Sequence, residues 1–323
     1  MMGEEILRLL REHPSDFVSG EKISRHLKVT RTAVWKRIRG LRALGYEIEA
    51  SRRSGYRLIR SPDLLLPSEI EPFLKTKWMG RKIHHFQTID STNSAAYQLA
   101  LRGAAEGEIV IAESQEKGRG RLGRHWSSPP FLNLYLSVIL RPQIPPHQAS
   151  LITLMAAVAA ADAVEKFSDL HPTIKWPNDI LLGGRKVAGL LNEIHSETDR
   201  IHFVILGIGI NLNMDGKAFP KEIRETATSL KKAMGQTIPR KAFLGFLLEK
   251  LEEWYEVFLK KGGSVILEEW RARASIEGKR VKVTSFGEVL VGRAIDVDSD
   301  GALILEMEDG GRKRIVAGDI EYR

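Results

Sequence analysis

Three arginines alternate with three glycines in one short segment, and this composition is suited to binding an anion. The segment reads Gly118-Arg119-Gly120-Arg121-Leu122-Gly123-Arg124. Glycines let the backbone approach a ligand closely, and guanidinium groups donate paired hydrogen bonds to phosphate or carboxylate oxygens. Trp126 follows and offers a flat aromatic face to a base. We therefore predict a phosphate-binding loop that orders on its ligand; a basic surface loop is the alternative.

The same glycines match the Gly-x-Gly-x-x-Gly pattern of dinucleotide-binding sites. That pattern requires a strand before the loop and a helix after it. A strand is predicted over 109–113, but the loop is followed by His125-Trp126-Ser127-Ser128-Pro129-Pro130, which cannot form a helix. We therefore exclude a Rossmann site.

A second candidate site lies on a predicted β-hairpin, whose two-residue turn is Gly183-Gly184. The turn sets a register that pairs Leu182 with Arg185, Leu181 with Lys186, and Asp179 with Ala188. Asp179 and Lys186 then lie on one face, about 7–8 Å apart between backbones. A lysine in mid-strand is not expected to face an apolar core unpaired. Lys186 is predicted to offset charge on a reacting carboxylate and phosphate; an Asp–Lys pair on the solvent side of the sheet is the alternative.

Two further motifs are weaker when each is taken alone. Asp90-Ser91-Thr92-Asn93 opens a predicted helix, where such residues are typical N-caps. Gly207-Ile208-Gly209-Ile210-Asn211-Leu212-Asn213 ends a predicted strand with two close-approach glycines and two amides. Both gain meaning only if the fold brings them to the loop and the hairpin.

The net charge of +8 is concentrated in a small part of the chain. The first 61 residues carry fourteen Lys and Arg against seven Asp and Glu, whereas the remaining 262 carry 35 against 34. An asymmetry of this kind suggests a basic module for nucleic acid, joined to a nearly neutral body.

The basic module shows the pattern of a winged helix-turn-helix over residues 1–62. One apolar helix face is predicted within 3–13, Ser19 and Thr30 are positioned to cap two more helices, and Gly45 ends the last. Strands at 46–50 and 55–59 then enclose a basic tip. The third helix carries off-core basic residues that a DNA backbone would meet: Arg31, Lys36, Arg37, Arg39 and Arg42. We predict DNA binding; a solvated basic face on a protein-contact domain is the alternative.

The rest of the chain divides into two further predicted domains, after a linker at 61–67. Residues 63–275 mix helices, at 92–102, 146–167 and 240–259, with strands at 109–113, 133–140, 180–182, 186–193 and 201–210. Residues 276–323 change to short strands at 280–284, 289–296, 302–306 and 312–316, a pattern that fits a small SH3-like β-barrel. The fold class is therefore α+β and multidomain.

Composition excludes several classes of protein. Of the 323 residues, 43% are hydrophobic and 28% charged, which is ordinary for a folded protein and excludes wholesale disorder. The absence of cysteine excludes disulfide scaffolds, thiolate metal sites and a cysteine nucleophile. The N-terminus lacks the apolar core of a signal peptide, and the longest uncharged apolar run, Leu151–Ala161, is too short to span a bilayer. We expect a soluble cytoplasmic protein with no membrane partner.

Together these segments resemble the biotin–protein ligase family, specifically its bifunctional members that also act as biotin operon repressors. The resemblance rests on motifs in the family's order: Asp90-Ser91-Thr92-Asn93, Gly118 to Trp126, Lys175-Trp176-Pro177-Asn178-Asp179, Arg185-Lys186-Val187-Ala188-Gly189 and Gly207-Ile208-Gly209-Ile210-Asn211. With the winged helix and the terminal barrel they cover the whole chain. The arginine loop followed by the Lys-Trp-Pro-Asn-Asp segment is highly specific in combination.

The resemblance implies a two-step reaction and a role for each matched residue. Biotin and ATP, with Mg²⁺, would give biotinyl-5′-adenylate and pyrophosphate, and the acyl group would then pass to a lysine of a biotin carboxyl carrier domain. The catalytic residues implied are Arg121 and Lys186, on the carboxylate and α-phosphate, and Asp179, on the acceptor lysine or the metal. The binding residues implied are Ser91, Thr92, Gln115, Gly118, Arg119 and Gly189 towards biotin, Arg124 on the phosphates, and Trp126, Asn178 and Asn211 around adenosine. Asn93 and Gly120 are further binding residues of the same motifs.

The resemblance also implies a fold and partners. The central domain would be a mixed sheet flanked by helices, like class II aminoacyl-tRNA synthetases, and ligand-linked homodimers would bind operator DNA. Two other functions stay open: a biotin-sensing transcription factor with little ligase activity, and an acyl ligase of the related lipoate class.

Overall fold

The computed structural model describes residues 2–322 apart from Ser275 and Phe286. The chain forms two compact units, Met1–Pro72 and Phe73–Arg323. Ser275, at the predicted end of the central domain, lies outside the described residues. No helix of the described residues is long and apolar enough to cross a membrane.

The N-terminal unit contains three helices, a hairpin and a short fourth helix. Their bounds are α1 Met2–Arg11, α2 Gly20–Leu27, α3 Arg31–Ala43, β1 Glu47–Ser51, β2 Gly55–Arg60 and α4 Pro67–Ile70. The predicted caps are confirmed, because the Ser19 hydroxyl accepts from the Lys22 N–H and the Thr30 hydroxyl from the Ala33 N–H. Strands β1 and β2 pair antiparallel, as the predicted wing requires.

The core of this unit continues past the predicted end of the domain at residue 62. Leu65 and Ile70 are fully buried within it. The buried Glu69 carboxylate accepts hydrogen bonds from the Tyr46 hydroxyl and from the Arg11 guanidinium. Burial and this acidic partner raise the pKa of Tyr46 above its ordinary value. Most of the segment predicted as a linker is therefore part of the packed unit.

The central part of the second unit is built on a seven-stranded mixed sheet in the order β3-β4-β5-β9-β8-β7-β6. The strands are β3 Ile83–Ile89, β4 Ile109–Gln115, β5 Leu134–Leu140, β6 Thr173–Lys175, β7 Asp179–Leu182, β8 Arg185–Ser196 and β9 Ile201–Ile210. Only the β3–β4 pair is parallel among these neighbours. Every residue of β5 is buried, which accounts for its uninterrupted apolar sequence.

Five helices accompany this sheet: α5 Thr92–Leu101, α6 Ala149–Ser168, α7 Leu230–Met234, α8 Arg240–Lys261 and α9 Gly263–Arg273. Helix α6 packs against α8 and α9, and its alanines allow close approach. Helix α8 begins at Arg240, whose buried guanidinium donates to the Glu113 carboxylate on β4 at 2.8 Å. Helix α5 packs on β4, β5 and β9 and directs its N-terminus into the cavity described below.

The C-terminal part is a five-stranded antiparallel sheet in the order β13-β12-β11-β10-β14. Its strands are β10 Arg280–Ser285, β11 Glu288–Val297, β12 Leu303–Met307, β13 Arg312–Ile315 and β14 Asp319–Tyr322. The four predicted strands are confirmed, and β14 is an addition. This last strand carries Asp319 and Tyr322, which line the same cavity as the central sheet.

Candidate functional site

One cavity of about 410 Å³ collects the candidate residues from distant parts of the chain. All of the predicted site residues except Gly118 line it, namely Ser91, Thr92, Asn93, Gln115, Arg119, Gly120, Arg121, Arg124, Trp126, Asn178, Asp179, Lys186, Gly189 and Asn211. Gly118 lies beneath the loop instead, where a Cβ atom would stand 2.4 Å from the Trp126 carbonyl oxygen. The motifs that were weak alone are therefore brought together by the fold.

One end of the cavity is formed by the start of α5. The Gln115 side-chain oxygen accepts hydrogen bonds from the Thr92 N–H at 2.8 Å and from its hydroxyl at 3.1 Å. Ser137 donates to the Asn93 side-chain oxygen at 2.6 Å. At Gly207 a Cβ atom would stand 2.1 Å from that same oxygen, so only glycine fits beneath the amide. This end presents hydroxyl and amide groups in fixed positions.

The middle of the cavity is covered by Trp126, which rests on two glycines paired across β8 and β9. A Cβ atom at Gly209 would stand 2.5 Å from the indole ring, and one at Gly189 would stand 2.9 Å from it. The Lys186 ammonium lies 5.3 Å from the indole centroid, within cation–π distance. The glycines of the two strand motifs therefore make room for the indole.

The arginine loop folds back on itself and does not lead into an α-helix. The Trp126 N–H donates to the Gly118 carbonyl at 2.9 Å, and the Gly120 N–H donates to the Arg124 carbonyl at 2.7 Å. Between them lies a single 3-10 turn, Arg121–Gly123. The exclusion of a Rossmann site is therefore confirmed.

Each of the three arginines has a protein partner. Arg119 donates to Glu193 on β8 at 3.0 Å, and Arg124 pairs with Asp319 on β14. Arg121 donates to the Gly318 carbonyl at 3.2 Å. Burial lowers the pKa of Arg121, while the carboxylates of Asp319 and Asp179 act in the opposite direction. The loop is thus tied to both the central sheet and the C-terminal sheet.

The hairpin that carries Lys186 has the predicted turn but a different register. Gly183 and Gly184 both have positive φ, at 54° and 76°, and Leu181 pairs with Lys186 as expected. The predicted pairing of Asp179 with Ala188 is wrong. The strand pairing shifts between Ile180 and Leu181, so the observed pairs include Asp179 with Gly189 and Ile180 with Ala188.

The shift leaves Val187 as an extra residue of β8. The backbone of the adjacent Lys186 is bonded to residues outside the hairpin. Its N–H donates to the Thr226 carbonyl at 2.8 Å, and its carbonyl accepts from the Thr228 N–H at 2.9 Å. The side chains of Lys186 and Asp179 nevertheless meet, with Nζ 2.6 Å from Oδ1. Both line the cavity, so the pair lies within the candidate site.

The two predicted amides are buried and hold neighbouring strands. The Asn178 side chain donates to the Leu190 carbonyl at 2.7 Å, and its oxygen accepts from Arg121 at 3.4 Å. The Asn211 N–H donates to the Val187 carbonyl at 2.8 Å, and its own carbonyl accepts from the Leu230 N–H at 3.0 Å. The side chain of Asn178 and the backbone of Asn211 therefore hold the strands around Lys186, and both residues line the cavity.

Several lining residues were not predicted: Lys175, Phe219, Ile223, Thr226, Ala227, Asp319 and Tyr322. Those at 219–227 lie in a segment whose sequence shows no regular periodicity. Asp319 and Tyr322 lie on the unpredicted strand β14. Burial raises the pKa of Tyr322, and the charge of Asp179 raises it further. Nothing in their local sequence indicated a site almost two hundred residues away.

Family comparisons agree with this arrangement along the chain. The Biotin/lipoate A/B protein ligase family matches residues 85–211, an HTH domain matches 4–57, and the Biotin protein ligase C terminal domain matches 277–323. The bifunctional ligase/repressor BirA of Bacillus spizizenii is 41% identical over 320 residues, covering 99% of this chain and 98% of that protein.

The chain belongs to the biotin protein ligase family.

A further relative and a solved structure are also similar to this chain. The bifunctional ligase/repressor BirA of Escherichia coli is 31% identical, over 95% of this chain and 94% of its own length. The solved structure of the biotin protein ligase from Aquifex aeolicus in complex with biotin and ATP has a TM-score of 0.64 and 27% identity. It covers 75% of this chain and 99% of the Aquifex chain. In the present chain the HTH domain match lies on the N-terminal side of the ligase match.

Proposed function

We propose that this biotin protein ligase joins biotin to ATP and transfers the biotinyl group to a carrier-protein lysine. A biotin carboxylate oxygen attacks the α-phosphorus of ATP, and the bond to the bridging oxygen breaks as pyrophosphate leaves. The lysine amine then attacks the acyl carbon, AMP departs, and the amine loses one proton. The observation that carries the proposal is the position of Arg121 and Lys186, which line one cavity with Trp126.

The proposed biotin end is at α5, where Thr92 and Gln115 are fixed by their hydrogen bonds to each other and Ser91 lines the cavity beside them. Fixed donors and acceptors suit a ureido ring, because their order is not lost when the ligand binds. Arg119 and Gly189 lie along the path from this end to the centre. The biotin carboxylate would then reach Lys186 and Arg121.

The proposed nucleotide end is at Trp126. Adenine would stack on the indole, with Asn178 and Asn211 nearby and Arg124 on the phosphates. Lys186 and Arg121 would offset the charge that develops on the α-phosphate as the carboxylate attacks. Asp179 would orient either the acceptor lysine or the metal, since its carboxylate lies beside Lys186.

Mg²⁺ would enter as the complex with ATP and would help to neutralise the pyrophosphate that leaves. Among the described residues no group of three or more His, Asp or Glu side chains is placed to hold a metal ion. The carboxylates that line the cavity are Asp179 and Asp319. ATP phosphates would therefore supply most of the metal ligands, with Asp179 the nearest protein candidate.

A carrier-labelling assay tests the ligase function. Full-length protein, biotin, ATP and Mg²⁺ should add one biotinyl group to a purified carrier domain, detected by mass spectrometry. Lys186→Ala should slow biotin-dependent exchange of labelled pyrophosphate into ATP by about a hundredfold or more. Lys260→Ala, on the exposed end of α8, is the matched control. Biotin binding without exchange by the wild-type protein would contradict the ligase function and favour a sensor.

We further propose that the N-terminal unit represses transcription by binding an operator as part of a ligand-linked dimer. The excess of basic residues, the capped helices and the wing support DNA binding. A ligand that orders the arginine loop lowers the entropy cost of a nearby interface, which would couple biotinyl-5′-adenylate to dimerisation. Sedimentation velocity with and without biotin plus ATP tests this coupling, and an unchanged mass would contradict it.

Both proposed roles require ATP and operator DNA in the same compartment, so we propose that the protein acts in the cytoplasm.

We also propose three domains, at 1–62, 63–275 and 276–323, with residues 63–72 packed onto the first. The HTH and C-terminal family matches, which end at 57 and begin at 277, support these limits. The seven-stranded mixed sheet is consistent with a class II synthetase-like arrangement, and five short antiparallel strands are consistent with an SH3-like barrel. Closure of that barrel would be tested by hydrogen exchange of the two outer strands, β13 and β14.

A further inference from the structure

One large aromatic side chain on α3 faces outward among basic residues. Trp35 is 47% exposed, although tryptophan carries the largest apolar surface of any residue. The core of the unit is packed by Val34, Ile38 and Leu41 of the same helix, which are buried whereas Trp35 is not. Trp35 is therefore not needed to fill the core, and its position calls for another explanation.

The outward face of α3 has the composition of a surface that fits into a groove of a DNA duplex. Thr32, Trp35, Lys36 and Arg39 recur at intervals of three and four residues and are all exposed. Gly40 follows Lys36 by one turn and is exposed, and a Cβ atom there would meet nothing within 4 Å. Thr32, one turn before Trp35, and Gly40, one turn after Lys36, add little bulk to the exposed surface of α3, so a duplex can approach the helix closely.

Trp35 is also held in place by a neighbour. The Arg39 guanidinium lies over the indole, with its central carbon 4.8 Å from the ring centroid. This cation–π contact restricts the rotation of both side chains, so less entropy is lost when the indole meets a partner. The face therefore presents a preorganised apolar ring among positive charges.

We propose that Trp35 reads a thymine in the operator by packing against its C5-methyl group. This inference rests on the proposed DNA-binding function and adds one specificity-determining contact to it. In a helix-turn-helix the second helix of the motif enters the major groove, with its N-terminal half against the base edges. Trp35 is the fifth residue of α3, which begins at Arg31. The thymine methyl is the apolar feature of that groove, whereas phosphates and other base edges are polar.

The test begins by finding the preferred sequence. Full-length protein with biotin and ATP selects from a randomised duplex library, and the same selection is made with Trp35→Ala. The wild-type protein should enrich a defined sequence, and the variant should lose the preference for thymine at one position of each half-site. Loss of preference at a G·C pair instead, or an unchanged sequence, would overturn the proposal. If the wild-type protein enriches no sequence, the proposed repressor function is contradicted, and the proposed contact between Trp35 and thymine is contradicted with it.

The decisive measurement then combines a protein change with a DNA change. Deoxyuridine at the selected position removes only the methyl group, and it should weaken wild-type binding by about fivefold to tenfold. Trp35→Ala should bind the thymine and uracil duplexes equally, because the contact is already missing. An equal effect of uracil on both proteins would overturn the proposal.

Two controls separate this contact from general damage. Leu44→Ala removes an apolar side chain with the same 47% exposure, just beyond the end of α3, and should retain the wild-type response to uracil. Trp35→Ala should still bind random-sequence DNA with the wild-type dependence on salt, since its lysines and arginines are intact. Trp35→Phe keeps an aromatic face and should recover most of the thymine preference.

Discussion

Glu193 illustrates how a single residue connects two elements that line the cavity. One oxygen of its carboxylate accepts from the Asn93 side chain at 2.8 Å and from Arg119 at 3.0 Å. Asn93 belongs to the first turn of α5, and Arg119 belongs to the arginine loop. The position of the loop is therefore set partly by a residue that the sequence did not single out.

Replacing Glu193 with Gln should weaken the contact between β8 and the arginine loop, while the volume of the side chain stays nearly the same. The charge-assisted bond to Arg119 is lost, and for a partly exposed pair the effect is about 1 kcal/mol or less. We expect biotinyl-5′-adenylate to escape up to about fivefold faster, measured by chasing labelled adenylate from the protein. Pyrophosphate exchange should change little. Glu197→Gln, just beyond the same strand, is the control, and an unchanged escape rate in Glu193→Gln would contradict the role of this bond.

At the scale of elements, the arginine loop depends on two glycines for different reasons. A Cβ atom at Gly118 would stand 2.4 Å from a backbone oxygen of Trp126 and 2.7 Å from the Ser128 hydroxyl. At Gly120 the nearest atom would be 3.4 Å away. The first glycine is required by the space beneath the loop, whereas the second is not required by packing in this structure.

Alanine at these two positions should therefore separate the two roles. Gly118→Ala is expected to lower the free energy of unfolding by about 1–3 kcal/mol, because the loop backbone must shift. Gly120→Ala should change it by less than about 0.5 kcal/mol. Urea denaturation without added substrates measures both. Equal destabilisation by the two substitutions would show that the loop is not packed as described.

Strands β3 and β4 are joined by a carboxylate whose pKa is shifted. Glu108, just before β4, accepts from His84 at 2.7 Å, from the Ala105 N–H at 2.9 Å and from Lys82 at 3.0 Å. Burial alone would raise the pKa of Glu108, but these hydrogen bonds outweigh it and lower the pKa to about 2. The folded state therefore favours the charged carboxylate.

This shift gives a pH dependence of definite sign. A lowered pKa contributes stability that is fully present above the ordinary value of 4.5 and is lost as the pH falls towards 2. Glu108→Gln should therefore reduce the free energy of unfolding by up to about 3 kcal/mol at neutral pH. The difference from wild type should shrink between those two pH values. Glu116→Gln, exposed just after β4, should show no such trend, and a constant difference for Glu108→Gln would contradict the assignment.

The elements with strong periodicity were predicted from sequence, and those set by distant contacts were not. Strand β5 and helix α6 carry long apolar runs, and their positions were predicted to within a few residues. Strand β3 is an edge strand with three exposed residues, so its alternation is too weak to identify. The backbone of Lys186, beside the register shift, is bonded to Thr226 and Thr228, which lie about forty residues further on. Local sequence contains no signal for that contact.

The candidate site was predictable where its residues share a short motif. The arginine loop and the Lys-Trp-Pro-Asn-Asp segment were identified because several functional residue types occur close together. Asp319 and Tyr322 were missed because a single acidic or aromatic residue in a short strand is common on any surface. Only the packing of the C-terminal sheet brings them to the cavity.

On the scale of the whole molecule, the limit of the N-terminal unit decides how the chain can be divided. A protein that begins at Phe73 should keep biotin transfer and lose sequence-specific DNA binding. One that begins at Asp63 should aggregate more readily, because it exposes Leu65 and Ile70, which are buried in the intact chain. Light scattering and carrier labelling of the two truncated proteins test this. Equal solubility, or DNA selection by either truncation, would contradict the division.

The cations of the cavity already contact other groups of the protein, and this affects which anions the cavity can bind. Lys186, Arg119 and Arg124 each contact a carboxylate of the protein, and Arg121 contacts a backbone carbonyl. A phosphate that binds these cations must displace the carboxylates and the carbonyl that already contact them. Its charge alone therefore adds little to the free energy of binding. Sulfate or free phosphate should compete poorly with ATP, whose ring also stacks and whose chain reaches several cations at once. Recognition then depends on the shape of the whole substrate more than on its charge.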